Sequence, residues 1–123
     1  MEIYILNDIK MKERQYHHLS NIPETFYTDL AQTLSSLKEE VARGEKEMYL
    51  YTNFCIITSE IIERRLNKLM NRAYMYSMRN HSLTSNTGEV EMEVPRNAVS
   101  VEAEFFKELL DDFAKFYDKW GCD

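Results

Sequence analysis

Glycine and proline are nearly missing: 123 residues carry three glycines and two prolines. So little glycine leaves no material for a phosphate-cradling loop, and neither a Gly-x-Ser-x-Gly elbow nor a His-Glu-x-x-His run occurs. The same scarcity excludes collagen-like and low-complexity chains. Two cysteines, Cys55 and Cys122, are too few and too far apart for a disulfide framework or a zinc site. Basic residues are outnumbered 15 to 21, and the net charge of −6 opposes a phosphate backbone, so strong direct DNA binding is not expected. No run approaches the ~18–20 apolar residues that span a bilayer, and the N-terminus lacks the basic, apolar, small-residue order of a secretory leader. The expectation is a cytoplasmic protein with no membrane segment.

What the chain does have is helical periodicity. Its length suits one domain, 1–123, with one core. The patterning predicts an all-α fold, a helical bundle of four to five helices. A long central helix and an irregular loop at about 80–99, before the last helix, are its main features. A first helix over 4–18 turns Leu6, Ile9 and Tyr16 inward. Pro23 suits the first turn of a second, over 23–43, with Phe26, Leu30, Leu34 and Leu37 inward and Gly44 as its stop. The third starts at 45 or 47 and ends near 79, with Leu50, Phe54, Ile57, Ile61, Leu69, Ala73 and Tyr76 in one half of its circumference. Cys55 reads as plain core on this helix. The run at 89–94 alternates like a strand but has no partner run, which favours an extended loop. Ser100 is expected to cap the fourth helix, where Val101, Phe105, Leu109, Phe113, Phe116 and Trp120 form one stripe and Phe106, Leu110 and Tyr117 widen it.

Little of this looks like catalysis. His17 and His18 point about 100° apart on a helix and cannot share a metal, so they read as solvated residues at a helix end. A di-iron bundle needs Glu-x-x-His on facing helices. Glu13 stands four residues before His17, and Glu60 and Glu63 have no histidine at the right distance. No metal, cofactor or catalytic residue is assigned, and the chain is not expected to be an enzyme.

One departure from the amphipathic pattern is informative. Arg64, Arg65, Lys68 and Arg72 fall inside or at the edge of the apolar sector of the third helix. Such charges snorkel, pair or meet a partner chain, and Glu13 is the leading candidate to pair with Arg64, Arg65 or Lys68. The last helix, for its part, is apolar over a broader arc than one facing helix pair covers. Phe105, Phe106, Leu109, Leu110, Phe113 and Tyr117 are therefore the candidate subunit interface.

The stretch "KMKERQYHHLSNIPETFYTDLAQTLSSLKEE" resembles the N-terminal segment of the GINS family of DNA-replication proteins, through Glu13, Arg14, Leu19, Ile22, Pro23, Phe26 and Tyr27. "SEIIERRLNKLMNRA" is similar to the family's long helix, through Arg64 or Arg65, Lys68, Leu69 and Ala73. A weaker match leads into the last helix at Val101, Glu102, Phe105 and Phe106. The resemblance implies a non-enzymatic scaffold, one of four subunits joined through helical domains. Such an assembly, a homotetramer or a heterotetramer with other GINS subunits, joins the MCM helicase to a RecJ-like partner. It also implies the archaeal class with the α domain first, in which a small β domain follows; here the sequence ends just after Trp120, and that domain is expected to be absent. Two other readings stay open. One is an unrelated helical adaptor or regulator acting through its last helix, and the other a small helical enzyme or ligand carrier that would hold a metal or cofactor.

Overall fold

The long helix predicted from periodicity is the element on which the others are laid. The computed structural model describes residues 1–81 and 94–120. Among them are four α-helices and no strand: α1 (Ile3–Gln15), α2 (Phe26–Ala42), α3 (Met48–His81) and α4 (Ser100–Trp120). The bundle is all-α as expected, at the lower of the two helix counts. Each of α1, α2 and α4 packs directly on α3. The run at 89–94, of which only Val94 is described, and Cys122 carry expectations that lie outside the described residues. None of these helices is long and apolar enough to cross a membrane.

The helix ends have local causes. Gly44 ends α2 at φ +74°, a left-handed conformation that costs glycine nothing. It lets the Glu45 N–H reach back to the Glu40 carbonyl at 2.9 Å and the Gly44 N–H to Val41 at 3.0 Å, satisfying two orphan carbonyls. α2 begins at Phe26 rather than at Pro23, because the Phe26 N–H closes a turn onto the Pro23 carbonyl at 3.0 Å. α1 ends at Gln15 rather than at His18, where Tyr16 turns into extended backbone and leaves its ring exposed instead of inward. At α4 the cap is not the Ser100 hydroxyl expected. Ser100 is the first helical residue, and Glu102 reaches back to accept the Val99 N–H at 3.1 Å, the acidic half of a capping box.

Two apolar clusters result. The first gathers Leu6 and Ile9 of α1, Ile22, Phe26 and Leu30 around α2, Phe54 and Ile61 of α3, and Val99. The second gathers Leu19, Leu69 and Ala73 of α3, and Phe106 and Leu110 of α4. Each fully buried Leu, Ile or Phe contributes about 1.5–3 kcal/mol. Leu34 and Leu37 flank the first cluster as expected, whereas Cys55 is half-buried and not plain core. Phe106 and Leu110 belong to the chain's own core, with 0% and 9% exposure, so these two of the six interface candidates are unavailable to another chain.

Thr58 is the outlier of the first cluster's neighbourhood. It sits on α3 between Phe54 and Ile61, 5% exposed, and its Oγ1 has no hydrogen-bond partner among the described residues. A buried hydroxyl left unpaired costs about 1–3 kcal/mol. Thr58→Val keeps the shape and removes the orphan, so it should raise the unfolding free energy by about 1 kcal/mol. The check is a urea midpoint that moves up at unchanged slope.

Candidate functional site

Between the two apolar clusters lies a layer of charge. Arg65 occupies α3 four residues after Ile61 and four before Leu69, so helical spacing sends it into the core with them. Its side chain is fully buried. All five guanidinium N–H groups find acceptors. Nε and one terminal nitrogen donate to the two carboxylate oxygens of Glu102, both at 2.7 Å. The same nitrogen donates to the Asn97 carbonyl at 3.0 Å, and the other donates to Glu13 at 2.6 Å and to the Ser20 carbonyl at 2.8 Å. Five donors in a fixed fork meet five acceptors from four separate stretches of chain.

The acids are satisfied in turn. Glu13 lies four residues after Ile9 and takes the last inward position of α1. It accepts from Arg65, from Lys68, and from both the backbone N–H and the hydroxyl of Ser20. Glu102 accepts from Arg65, the Val99 N–H and the Tyr27 hydroxyl. Lys68 also holds the Glu13 and His18 carbonyls at 2.9 and 3.0 Å, which closes the end of α1. Two carboxylates therefore meet two cations, and no net charge is left in the interior. Asn97 completes the layer at φ 70°, a left-handed setting that asparagine tolerates, with its amide donating to the Leu19 carbonyl at 3.1 Å.

The titration of these groups follows from the contacts. Burial pushes the Glu13 carboxyl up, but hydrogen bonds from Lys68, Ser20 and Arg65 outweigh it and hold the group below its ordinary value. Burial, then the bond to Glu102, pushes the Tyr27 phenol well above its ordinary range. Arg65 stays charged: its two acids more than offset the desolvation that favours the neutral form.

The remaining residues singled out in the sequence lie outside this layer. Arg14 and Arg64 are exposed and share Glu60, Arg64 through an i,i+4 contact at 3.1 Å. Arg65, not Arg64, is the arginine that meets Glu13. Arg72 is exposed and not at the edge of the core. His17 and His18 are exposed; His18 stacks on Tyr16 at 5.1 Å between ring centroids. Leu19 and Phe26 are core, and Pro23 is an exposed turn residue. No group of three or more metal-ligating side chains occurs among the described residues.

A second feature is open to solvent. Tyr74 of α3 meets Phe113 of α4 edge to face at 6.2 Å, and these two border an apolar groove of about 360 Å³ with Leu109, Asp112, Phe116 and Tyr117. Phe105, Leu109, Phe113 and Tyr117 are partly buried, while Tyr74 and Phe116 are about half exposed. Of the six interface candidates, these four therefore remain on the surface. Tyr74, Ser20 and Asn97 carry no mark in the sequence, and Glu102 is marked there only through the weaker resemblance at the start of the last helix. Glu102 carries the same signal as Arg65, a charge in line with apolar residues, here Phe106 and Leu110.

No protein-family model, no curated protein and no solved structure matches the chain.

Two expectations follow from the charged layer. Arg65→Lys loses the bidentate bond to Glu102 and leaves buried acceptors unmet, so it should cost about 3 kcal/mol, against under 1 kcal/mol for the exposed Arg64→Lys. Denaturant unfolding followed by circular dichroism reads both. Because the folded Glu13 carboxyl is held low, the unfolded chain binds its proton first as pH falls. Its stabilising effect is complete above the ordinary carboxylate value of about 4.3 and is lost as pH drops through the folded value. The gap in melting midpoint between the native chain and Glu13→Gln should accordingly be widest above about pH 5 and narrow below about pH 4.

Proposed function

We propose that the chain is a non-catalytic scaffold subunit of a GINS-like tetramer. It links the MCM replicative helicase to a RecJ-like partner during chromosomal DNA replication, in the cytoplasm at replication forks on the nucleoid. One observation carries this reading: the short motifs behind the resemblance, taken from separate stretches of sequence, converge on one place. Glu13, Tyr27, Arg65, Lys68 and Glu102 are linked by hydrogen bonds, and Leu19, Phe26, Leu69 and Phe106 pack in the clusters on either side. Motif residues that share one buried layer have a common physical reason to occur together. They are architecture, which suits a scaffold.

The open face suits an assembly. From Leu69 onward, α3 packs against α4 and Leu19, without α1 or α2 in the same cluster. A pair of helices covers one side of each, and here it leaves Tyr74, Met78 and Phe116 exposed at 48%, 45% and 58%. Another helix pair laid on this face would bury them. A scaffold of this kind acts by holding two machines near each other and raising their effective concentration. Its acidic balance suits basic patches on partner proteins. The groove alone equally favours a second reading, an unrelated α-helical adaptor acting through the outer face of α4.

Light scattering across a dilution series separates the two. The scaffold reading expects a species near four times the 14.7 kDa chain mass, alone or with a second subunit type. It also expects recovery of MCM and the RecJ-like protein in co-purification. Phe116→Glu should lower that mass while leaving the helical signal unchanged, because Phe116 is exposed in the single chain. A stable monomer that recovers neither partner would leave the adaptor.

A further inference from the structure

The net charge of −6 hides a local excess of the opposite sign. Over 61–81, α3 carries Arg64, Arg65, Lys68, Arg72 and Arg79 against one acid, Glu63. Arg65 and Lys68 are committed to the buried acids. The other three are exposed. At 100° per residue they fall within about 80° of one another on one side of α3, and Glu63 lies about 100° or more from each. From Arg64 to Arg79 the row is about 22 Å long. Arg64 shares Glu60 with Arg14, so two cations divide one acid there. Arg72 and Arg79 have no ion-pair partner among the described residues. Met75, 57% exposed, stands in the same sector between them.

Tyr74, which borders the apolar groove, lies about 160° around the helix from Arg72, so the row and the groove occupy opposite sides of α3. A chain seated in the groove leaves the row open. Arg64, Lys68 and Arg72 are successive i,i+4 neighbours of like charge, an unfavourable arrangement that an anion brought from outside relieves. Two features choose the anion. A guanidinium takes a carboxylate in a two-bond fork, as Arg65 does with Glu102. Met75 offers an apolar contact that a phosphate backbone has no group to fill, and the −6 net charge repels a long polyanion more than a short acidic run. We propose that Arg64, Arg72 and Arg79, with Met75 among them, dock an acidic helical segment of a partner protein. Its carboxylates recur about every 6 Å, the rise of four helical residues, and flank an apolar side chain. The row stands whether or not the groove is covered, so it does not depend on the assembly proposed above.

The probe is a fluorescein-labelled synthetic helix with glutamate at every fourth position and one leucine in that row, titrated with the full chain and read by polarisation. Saturable binding is expected at about 50 mM salt, weakening several-fold at about 200 mM as exposed pairs are screened. Arg72→Gln combined with Arg79→Gln should weaken it about fivefold, and Met75→Ser about threefold. These side chains are exposed, so the helical signal should not change. Lys38→Gln combined with Arg43→Gln removes the same charge from exposed positions on α2 and should leave binding as it was. The proposal is overturned if the peptide does not saturate, if the α2 pair weakens it as much as the α3 pair, or if a peptide with glutamine for glutamate binds equally well. Tighter binding of a single-stranded oligothymidylate of equal charge would assign the row to nucleic acid instead. Light scattering without peptide covers the remaining occupant: the Arg72→Gln, Arg79→Gln chain should keep the native mass, and a lower mass would mean that a second copy fills the row.

Discussion

A guanidinium taken fully out of water sets the terms for the rest of this fold. Removing such an ion from solvent costs several kcal/mol, and the cost is offset only if every donor is met in good geometry. Arg65 meets that condition with acceptors from α1, the α1–α2 connection, the turn before α4, and α4 itself. No single contact suffices, so the contributing segments are all held to one arrangement. A half-satisfied layer would be worse than an apolar one, which makes the four stretches interdependent.

The placement of the layer explains the division of the core. Apolar side chains collect above it, where α1 and α2 lie on α3, and below it, where α4 lies on the rest of α3. Without the charged residues at the inward positions of α1, α3 and α4, these would be one continuous cluster. Dispersion and apolar burial supply the bulk of the stability in both halves, but they are non-directional. The layer adds direction: Glu102 faces Arg65 on the same side of α4 as the buried Phe106 and Leu110, while Val101 and Phe116 stay exposed. The apolar groove beside Tyr74 lies on the same two helices, bordered by Leu109, Phe113 and Phe116.

Much of the architecture was legible because helical spacing is a strong signal. The long third helix, Gly44 as a stop, and the inward Phe54, Ile61, Leu69 and Ala73 all follow from period and from the conformational freedom of one glycine. The charges in the apolar sector of α3 also pointed to pairing with Glu13, beside snorkelling and a partner chain, and pairing is what Arg65 and Lys68 show. Local competition was harder to read. Pro23 is equally at home in a turn and in a first helical turn, and here a turn wins. Ser100 could cap its own helix, but its N–H is bound by Glu24 at 2.7 Å and the capping role passes to Glu102. Tyr16 has the right spacing for the core and loses its place because α1 stops one residue earlier.

The sequence by itself determined the helical class, the approximate lengths of the helices and the presence of charges in the apolar sector of the third helix. These depend on spacing along one helix and on the cost of burying charge, and both can be counted on a linear chain. Only the tertiary structure decided that Arg65 rather than Arg64 enters the core, that Glu102 joins Glu13 there, and that Phe106 and Leu110 are buried while Val101 and Phe116 are exposed. The first is a choice between neighbours about 100° apart on a helix, nearly equal in local preference. Such choices are made by what stands opposite in space, and residues 13, 65 and 102 become neighbours only when three helices are packed together.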